Sequence, residues 1–446
     1  MADDLTPQIP KSPKPAQPAL LSLDEVLTRL LAVARERVIP EVEKLATIDA
    51  LGRVLARPVV SALDVPPADN SSMDGYAVRA ADVPAAGQVL PVSQRIPAGV
   101  VGQPLQPGTA VRIFTGAQLP PGADAVLMQE QCEALPALDG LGLGLGLGTV
   151  RCDALPQAGQ WVRRRGEDVA QGAEVLAAGT RLTPQALGLA ASVGASRLTL
   201  RRRPRVALFS TGDELVMPGE SLKPGAIYNS NRFTLRGLLQ AAGCEVADLG
   251  IVPDRLDATR AALRQAAQGN DLILTSGGVS VGEEDHIKPA LKAEGWLEAW
   301  QVAIKPGKPL VFGAVRRQAE PDADADADAD AGEALFMGLP GNPVSSFVTF
   351  LLAVAPLLRA IQGCPVTQPA ALHARADFDW PKPDRRREFL RARFNADGGV
   401  ELFPNQSSGV LTSAVWADAL VDLPPGQVVR RGDSVRLLLL SSLIGH

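Results

Sequence analysis

The stretch from residue 205 to residue 361 constrains the fold most, because short apolar runs alternate there with helical patterns. Val206–Phe209 is a continuous apolar strand that opens it. Further strands are predicted at 245–251, 272–274 and 335–337, and a pair of strands around 298–313, with helices at 232–242, 257–268, near 284–294 and from Pro343 to about Ile361. This alternation is typical of a mostly parallel sheet covered on both faces. We therefore predict a doubly wound α/β domain.

The rest of the 446 residues divides around this unit. Ser22 and Glu25 form a capping box, so a helix is predicted to begin there. Residues 55–200 read as short β-like runs broken by Pro and Gly, with one helix that starts at Thr183-Pro184. The last 80 or so residues show short alternating runs typical of a small β domain. The predicted division is a disordered tail at 1–20, an N-terminal domain at 21–203, the α/β domain at 204–365 and a β domain at 366–446.

Composition excludes several classes of function. The net charge is −5, and five of the acids belong to one Asp-Ala tract at 322–331, so the body of the chain is near neutral and lacks the basic field of a nucleic-acid binder. Four scattered cysteines and three histidines argue against a disulfide framework, a zinc ribbon or a multi-histidine metal site. The N-terminus does not resemble a signal peptide, and the apolar run 347–358 is shorter than the roughly 20 residues of a membrane span. We expect a cytoplasmic protein that binds neither nucleic acid nor membrane.

Polar, Gly-rich segments follow three strands of the predicted sheet. They are Ser210–Glu214, Thr275–Asp285 and Gly338–Ser345. Ligands of open α/β sheets bind at the carboxyl ends of the strands, so three such segments favour a binding site on one rim. Each one alone would more often be structural.

The residue types suggest a ligand with negative charge. Gly277 and Gly278 allow close approach of backbone to a ligand. Asn342 and Pro343 suit the start of a helix, whose free N–H groups at Val344, Ser345 and Ser346 are predicted to face an anion. The lysines in Lys305–Pro309 suit a phosphate or another oxyanion, although exposed lysines on a turn are the plainer interpretation.

Acidic residues on the same rim admit two interpretations. Asp285 stands near a predicted helix start, where an acid stabilises the helix dipole. Alternatively, Asp285 with Glu214 and Asp254 offers oxygen ligands to Mg²⁺. Spacing alone does not decide between them. The run Gly278–Gly282 also matches the G-x-S-x-G motif of hydrolases, which leaves an esterase as a weak alternative because a suitably placed histidine is not evident.

Further polar segments lie outside the α/β unit. Asp69–Ala77 contains the turn Asp74-Gly75, and Arg112–Gly116 ends a predicted strand. Arg163–Asp168 reads as a salt-bridged surface turn, and Arg385–Arg387 adds positive charge to the last domain.

In this order, these segments resemble the MoeA family, the molybdopterin molybdenumtransferases of molybdenum-cofactor biosynthesis, which are related to the gephyrin E domain. The resemblance spans nearly the whole chain after residue 20. It implies a discontinuous N-terminal domain with an inserted β domain, a central molybdopterin-binding α/β domain and a C-terminal β-barrel-like domain. It also implies a homodimer that transfers molybdenum from molybdate to adenylylated molybdopterin, with Mg²⁺ and release of AMP. A non-catalytic carrier or scaffold for the cofactor is the alternative.

The resemblance also implies roles for single residues. Asp285, Asp74, Thr115 and Glu214 are expected to be catalytic, with Asp74 and Thr115 reaching the cleft from the partner subunit. Asp285, Glu214 and Asp254 are the expected metal ligands. The expected contacts to molybdate and molybdopterin are Ser210, Thr211, Gly212, Gly277, Gly278, Ser280, Lys305, Lys308, Pro309, Pro340, Pro343, Ser345, Arg391 and Ser408.

Three departures from the family pattern bear on function. Gln301 stands where some relatives have lysine, which lowers the expected positive field of the pocket. The Asp-Ala tract and the Gly-Leu run at 140–148 look like loop insertions. Only one Ser-Gly-Gly-Val-Ser unit is present, so the substrate is expected from a separate molybdopterin adenylyltransferase, and molybdoenzymes or their chaperones are the expected acceptors.

Overall fold

A computed structural model describes residues 20–136, 147–279, 286–318 and 332–444. The first part of the chain is rich in short strands, as the sequence predicts. Its helices are α1 (Leu23–Glu36) and α2 (Pro184–Ser192). Its strands are β1 (Leu20–Leu21), β2 (Val42–Ala46), β3 (Val59–Val60), β4 (Asn70–Ser71), β5 (Gly75–Val78), β6 (Gln88–Ile96), β7 (Ala110–Ile113), β8 (Ala125–Met128), β9 (Cys132–Leu135), β10 (Thr149–Cys152), β11 (Val162–Arg163), β12 (Glu174–Leu176) and β13 (Arg197–Arg201).

The N-terminal domain is discontinuous, with a β domain inserted into it. Strands β5 to β10 form one six-stranded sheet in the order β8-β5-β7-β6-β10-β9. On either side of this insert, strands that precede it pair with strands that follow it: β2 with β13, β3 with β12 and β4 with β11. This arrangement confirms the fold that the resemblance implies for the region.

The middle of the chain alternates strands and helices. Its strands are β14 (Arg205–Thr211), β15 (Leu215–Val216), β16 (Ile227–Tyr228), β17 (Glu245–Val252), β18 (Leu272–Ser276), β19 (Gly295–Val302), β20 (Ile304–Lys305), β21 (Pro309–Arg316) and β22 (Glu333–Leu339). Its helices are α3 (Ser230–Ala241), α4 (Leu256–Ala267), α5 (Ile287–Glu294), α6 (Pro343–Thr349) and α7 (Ala355–Ile361), and a π-helical turn at Phe350–Val354 joins the last two.

These strands build a seven-stranded sheet in the order β1-β19-β21-β22-β18-β14-β17. The strands β22, β18, β14 and β17 run parallel, whereas β21 runs antiparallel to both of its neighbours. Alternate residues of β14 face opposite sides: Val206 and Leu208 pack with α1, α3, α6 and α7, while Ala207 and Phe209 pack with α4 and α5. Helices therefore cover both faces, which confirms the doubly wound domain.

The helix Pro343–Ile361 is the core helix of this domain. Its 19 residues are long and apolar enough to cross a membrane by length and composition. This apolar segment is longer than the run at 347–358 predicted from the sequence. In the fold, 89% of its most apolar stretch is buried inside the protein. The apolar character is thus accounted for by packing against the central sheet.

The last part of the chain closes into a barrel. Its strands are β23 (Ala371–Ala376), β24 (Arg387–Phe394), β25 (Gly399–Leu402), β26 (Ala419–Leu423) and β27 (Ser434–Leu439), and its helices are α8 (Leu411–Trp416) and α9 (Leu440–Ile444). The strand order β24-β25-β23-β27-β26 closes on itself, because β26 also pairs with β24. This confirms the barrel-like domain that the resemblance implies.

One short strand joins the barrel to the α/β domain. Strand β20 pairs in parallel with β24, with Ile304 opposite Arg387 and Lys305 opposite Glu388. The lysine-bearing turn of the α/β domain is therefore held against the start of a barrel strand, and this contact sets the position of the site.

Candidate functional site

The three Gly-rich segments meet at one rim of the central sheet. Their strands end in register, since Ser210 lies opposite Ser276 and Ser276 lies opposite Leu339. A cavity of about 710 Å³ opens at this rim, between the α/β domain and the barrel. The cavity is lined by Thr211, Gly212, Glu214, Asp254, Gly277, Gly278, Val279, Lys305, Pro306, Gly307, Lys308, Pro309, Pro340, Gly341, Asn342, Ser345, Arg386, Gln406, Ser407 and Ser408.

Twelve of the predicted site residues are among them: Thr211, Gly212, Glu214, Asp254, Gly277, Gly278, Lys305, Lys308, Pro309, Pro340, Ser345 and Ser408. Ser210, Pro343, Arg391, Asp74 and Thr115 do not line this cavity in the described part of the chain. Two further predicted residues, Ser280 and Asp285, lie outside the described residues.

Bare backbone forms the wall at the end of β18. Gly277 has φ 95°, and a Cβ added there would lie 2.7 Å from the carbonyl oxygen of Thr211. Gly278 has φ 64°, and a Cβ there would lie 2.6 Å from Ile287 Cγ1. Both positions thus require glycine on steric and conformational grounds, which leaves peptide groups facing the cavity.

Lys305 is held by two acids of the barrel. Its Nζ lies 3.0 Å from Glu388 Oε1 and 3.5 Å from Asp384 Oδ2. Glu388 is only 1% exposed, and its other oxygen accepts hydrogen bonds from Trp380 Nε1 and from the backbone N–H of Asp384. Most of the positive charge of Lys305 is therefore balanced inside the protein.

Lys308 is placed differently. Its ammonium group also lines the cavity, but it forms no ion pair with any residue in the described ranges. Ser345 is 5% exposed and lines the same cavity. A buried serine and a lysine without an ion pair in the described ranges, both lining one cavity, suit an anion, because charge-assisted hydrogen bonds to an oxyanion are among the stronger ones in proteins.

The start of α6 corrects one sequence prediction. Val344 N–H donates to the carbonyl oxygen of Ser408 at 2.9 Å, and Ser346 N–H donates to the carbonyl oxygen of Asn342 at 2.9 Å. These two groups are therefore not open to a ligand. The bond from Val344 instead ties the barrel segment 406–408 to the helix start, and this is what brings Ser408 to the rim.

Arg391 stands behind the rim rather than on it. Its guanidinium is 1% exposed and donates to Ser413 Oγ at 3.1 Å and to the carbonyl oxygen of Ser407 at 3.3 Å. Burial lowers the pKa of Arg391 to about 10, so the group stays protonated at neutral pH. Arg391 thus supports the segment 406–408, which lines the cavity.

Arg386 is the cationic barrel residue that does line the cavity. It donates to both carboxylate oxygens of Asp384, at 3.0 Å and 2.9 Å, and these bonds hold the pKa of Asp384 far below its usual range. The sequence showed only a run of three arginines here. Three consecutive arginines do not indicate which of their side chains faces the rim.

Glu214 and Asp254 bring two carboxylates to the same cavity. Among the described residues no group of three potential ligands is assembled. Mg²⁺ is commonly bound by one or two carboxylates together with waters and substrate phosphates, so this pair suits it in kind. The third predicted ligand, Asp285, falls in the segment 280–285 that is not described.

Asp74 and Thr115 meet on the surface of the inserted domain. Asp74 Oδ1 accepts from the backbone N–H of Thr115 at 2.8 Å and from its hydroxyl at 2.7 Å. These bonds lower the pKa of Asp74 from its ordinary value. The structure therefore brings the two predicted residues together, although both are exposed and away from the cavity of their own chain.

The turn 163–168 and Gln301 both lie outside the cavity lining. In the turn 163–168, Arg164 pairs with Asp69 at 2.8 Å and Arg165 pairs with Asp64 at 2.5 Å, so this is a salt-bridged surface turn as predicted. Gln301 lies in β19 opposite Pro309 and does not line the cavity.

The fold and site define a class: multidomain proteins in which residues of a doubly wound α/β domain and a β barrel line one cavity, with a discontinuous N-terminal domain. Three family models match this chain in order. They are the MoeA N-terminal region (domain I and II) at residues 21–194, the probable molybdopterin binding domain at 207–360 and the MoeA C-terminal region (domain IV) at 373–440. The chain belongs to the MoeA family.

Relatives agree with this assignment over nearly full length. A molybdopterin molybdenumtransferase of Haemophilus influenzae is 39% identical over 434 residues, which cover 96% of this chain and 100% of the relative. One of Nostoc sp. is 35% identical, covering 88% of this chain and 87% of the relative. The crystal structure of the molybdopterin biosynthesis moeA protein of Pyrococcus horikoshii OT3 superposes with a TM-score of 0.76 at 28% identity, covering 94% and 100% of the two chains.

Proposed function

We propose that this chain is a molybdopterin molybdenumtransferase, an enzyme that inserts molybdenum from molybdate into adenylylated molybdopterin and releases AMP. Its relatives carry the name of that transferase. The observation that carries the proposal is the cavity itself. Lys308, which has no ion pair among the described residues, and the buried Ser345 line it together with Glu214 and Asp254.

Molybdate is a compact dianion, and the barrel side of the cavity suits it. Lys308 supplies positive charge, and Ser345 and Ser408 supply hydrogen-bond donors. Lys305, balanced by Glu388, fixes the turn that carries Lys308. Arg391 supports the loop of Ser408 from behind.

The phosphate-bearing substrate suits the opposite side. The backbone at Gly277 and Gly278 admits a ligand at close range, and Thr211 offers a hydroxyl with no partner among the described residues. Glu214 and Asp254, with Asp285, would hold Mg²⁺, which would neutralise charge on the phosphoanhydride and on departing AMP. Asp285 is expected to matter for turnover more than for binding.

The decisive measurement is AMP release by the purified chain given adenylylated molybdopterin, Mg²⁺ and molybdate. We expect release to depend on molybdate and to fall by orders of magnitude in Asp285→Asn, with the adenylylated substrate remaining bound. Glu220→Gln, a change at another acid of the α/β domain, is the matched control. A chain that binds the substrate but releases no AMP under any condition would be the non-catalytic carrier instead.

We further propose a cytoplasmic homodimer in which the Asp74–Thr115 pair of one subunit completes the cavity of the other. The support is that the two residues are preorganised by their hydrogen bonds yet exposed in their own chain. The proposed domain division remains 21–203, 204–365 and 366–446. A molybdopterin adenylyltransferase upstream and molybdoenzymes or chaperones downstream are the proposed partners.

A further inference from the structure

Two cysteines face each other across the hairpin of β9 and β10. Cys132 begins β9, Cys152 ends β10, and the register places them directly opposite. Beyond them, the backbone N–H of Asp153 donates to the carbonyl oxygen of Gln131 at 2.9 Å. That bond makes Asp153 and Gln131 the hydrogen-bonded pair and leaves the cysteines at the non-hydrogen-bonded position, where the Cα atoms approach to about 4.5 Å and side chains are closest.

This geometry suits a covalent bond between the two sulfurs. Residues directly opposite in an antiparallel pair project from the same face of the sheet, and disulfides span Cα separations of about 4.4–6.8 Å. Both side chains pack in the same apolar cluster beside Tyr76. The sulfurs also interact: a hydrogen bond from Cys132 lowers the pKa of Cys152 and, with burial, raises that of Cys132.

The two thiols differ in access to solvent. Cys152 is fully buried, whereas Cys132 is only partly buried. An external reagent therefore reaches Cys132 first, and Cys152 lies next to any adduct formed there. This is the arrangement of an attacking and a resolving thiol.

We propose that Cys132 and Cys152 are a reversible dithiol–disulfide pair that exchanges with a low-molecular-weight disulfide such as glutathione disulfide. The Cys132 thiol, whose pKa is raised, loses its proton as its sulfur attacks one sulfur of glutathione disulfide, and the displaced glutathione thiolate takes up that proton. The Cys152 thiolate then attacks the Cys132 sulfur of the mixed disulfide and displaces the second. Overall, two protein thiols are oxidised to one disulfide and one glutathione disulfide is reduced to two glutathione thiols.

The bond has a structural consequence at the edge of the inserted sheet. Strand β9 is one of the two edge strands of that sheet and has β10 as its neighbour. Three residues before Cys132, the backbone N–H of Gln129 donates to the carbonyl oxygen of Asp74 at 3.0 Å. A cross-link at Cys132 thus fixes the edge strand close to Asp74, and it restricts the unfolded chain.

The test uses the wild-type chain in its folded state. It is equilibrated with glutathione disulfide, the free thiols are alkylated, and peptides are mapped by mass spectrometry. We expect a peptide pair linked through Cys132 and Cys152, lighter by two hydrogens, with Cys244 unmodified and full reversal by dithiothreitol. The oxidised protein should also unfold at a higher temperature than the reduced one.

Two results would overturn the proposal. One is glutathione retained on Cys132 while Cys152 remains a free thiol, which would show that the second sulfur cannot reach the first. The other is complete reduction of both residues at glutathione disulfide concentrations that oxidise a reference dithiol of ordinary potential. The variant Cys364→Ser, which removes the other partly buried cysteine, controls for exchange between distant thiols. It should leave the 132–152 link unchanged.

Discussion

Lys305 and Lys308 stand three residues apart on one turn, yet their charges have different surroundings. Because Lys308 forms no ion pair within the described ranges, we expect Lys308→Met to weaken molybdate binding about tenfold or more, the loss of one charge-assisted bond. Binding is measured by calorimetry with molybdate alone. Lys44→Met, which removes an exposed lysine of β2, is the control and should bind normally.

Lys305→Met should instead act mainly on stability. It would leave Glu388, which is 1% exposed, without its cation, and we expect a loss of about 2 kcal/mol in the free energy of unfolding. Urea unfolding measures that loss. A Lys305 variant of normal stability with molybdate affinity as poor as that of the Lys308 variant would contradict this division of roles.

The sequence did not show which arginine of the barrel faces the cavity, because the packing around each side chain decides where it points. In β24, Leu390 and Ala392 pack inside the barrel, while Phe389 and Arg391 face the other way, so Arg391 is buried between domains. Arg386 precedes the strand and reaches the cavity instead. The arginine expected near the oxyanion, Arg391, was implied by the family resemblance, whereas the residue pattern did not single out Arg386, which lines the cavity.

The capping box at the start of α1 is an element whose contribution can be isolated. Glu25 Oε2 accepts from the Ser22 N–H at 2.7 Å, and the Glu25 N–H donates to Ser22 Oγ at 3.2 Å. We expect Ser22→Ala to lower the free energy of unfolding by about 1 kcal/mol. Ser192→Ala, at a serine near the end of α2 that caps no helix start, should have a smaller effect. Equal effects in the two variants would show that the cap is not used.

The same box predicts a pH dependence. The hydrogen bonds from Ser22 lower the pKa of Glu25. A carboxyl whose pKa is lowered on folding stabilises the fold above its ordinary pKa of about 4.3, and that contribution is lost as the pH falls through the folded value. The difference in stability between wild type and Glu25→Gln should therefore be full at neutral pH and shrink in acid. A difference that stays constant through the acid range would exclude this origin.

The Asp-Ala tract belongs to a hairpin connection. It lies outside the described residues, but β21 and β22 pair antiparallel up to Arg316 and Glu333, and Arg317 N–H donates to the carbonyl oxygen of Gly332 at 3.1 Å. A short turn can join ends this close. Replacing the tract with a Gly-Ser turn should leave activity unchanged. The free energy of unfolding should be unchanged or higher by about 1 kcal/mol, because a shorter loop has a smaller entropic cost of closure.

A variant with the same length and serine in place of each aspartate separates charge from length. Both variants should release AMP at the wild-type rate. A large loss in the serine variant alone would assign a role to the acidic charge.

The sequence pattern predicted the bounds of helices and strands well where the residues of one element alone form a clear apolar pattern. Helix α4 and strands β17 and β18 lie within a few residues of the prediction. The strand β1 was missed, because Leu20 and Leu21 become a strand only by pairing with Gln301 and Val302, about 280 residues away in sequence. Two apolar residues carry no periodic signal of their own.

At the scale of the whole molecule, the discontinuous domain was predicted by resemblance and not by patterning. Strands β2 and β13 pair residue by residue from Val42 with Arg201 to Ala46 with Arg197, although an entire domain separates them in sequence. Periodicity identifies each strand but says nothing about a partner so distant. The discontinuous domain was implied instead by the family resemblance, which rests on the ordered set of polar and Gly-rich segments along the whole chain.

The exposed Asp74–Thr115 pair leads to the prediction that tests the assembly. If the pair completes the cavity of a second subunit, Asp74→Ala and Lys308→Ala damage different subunits' contributions to one site. Each homodimer should then be strongly impaired when molybdate is limiting, since the loss of Lys308 weakens molybdate binding. A mixed dimer has one site with both changes and one site with neither, so it should regain about half of the wild-type activity per dimer.

The experiment uses two differently tagged variants, coexpressed and purified through both tags so that only mixed dimers are assayed for AMP release. A control dimer that carries Asp74→Ala in both subunits and Lys308→Ala in one should stay inactive, since neither of its sites has an intact Asp74. If verified mixed dimers remain as inactive as the single variants, both residues act within the same chain. Because Asp74 does not line the cavity of its own subunit, that outcome would require the inserted domain to move toward the α/β domain. The shared cleft would then be wrong, while the role of Lys308 in binding molybdate would stand on its own measurement.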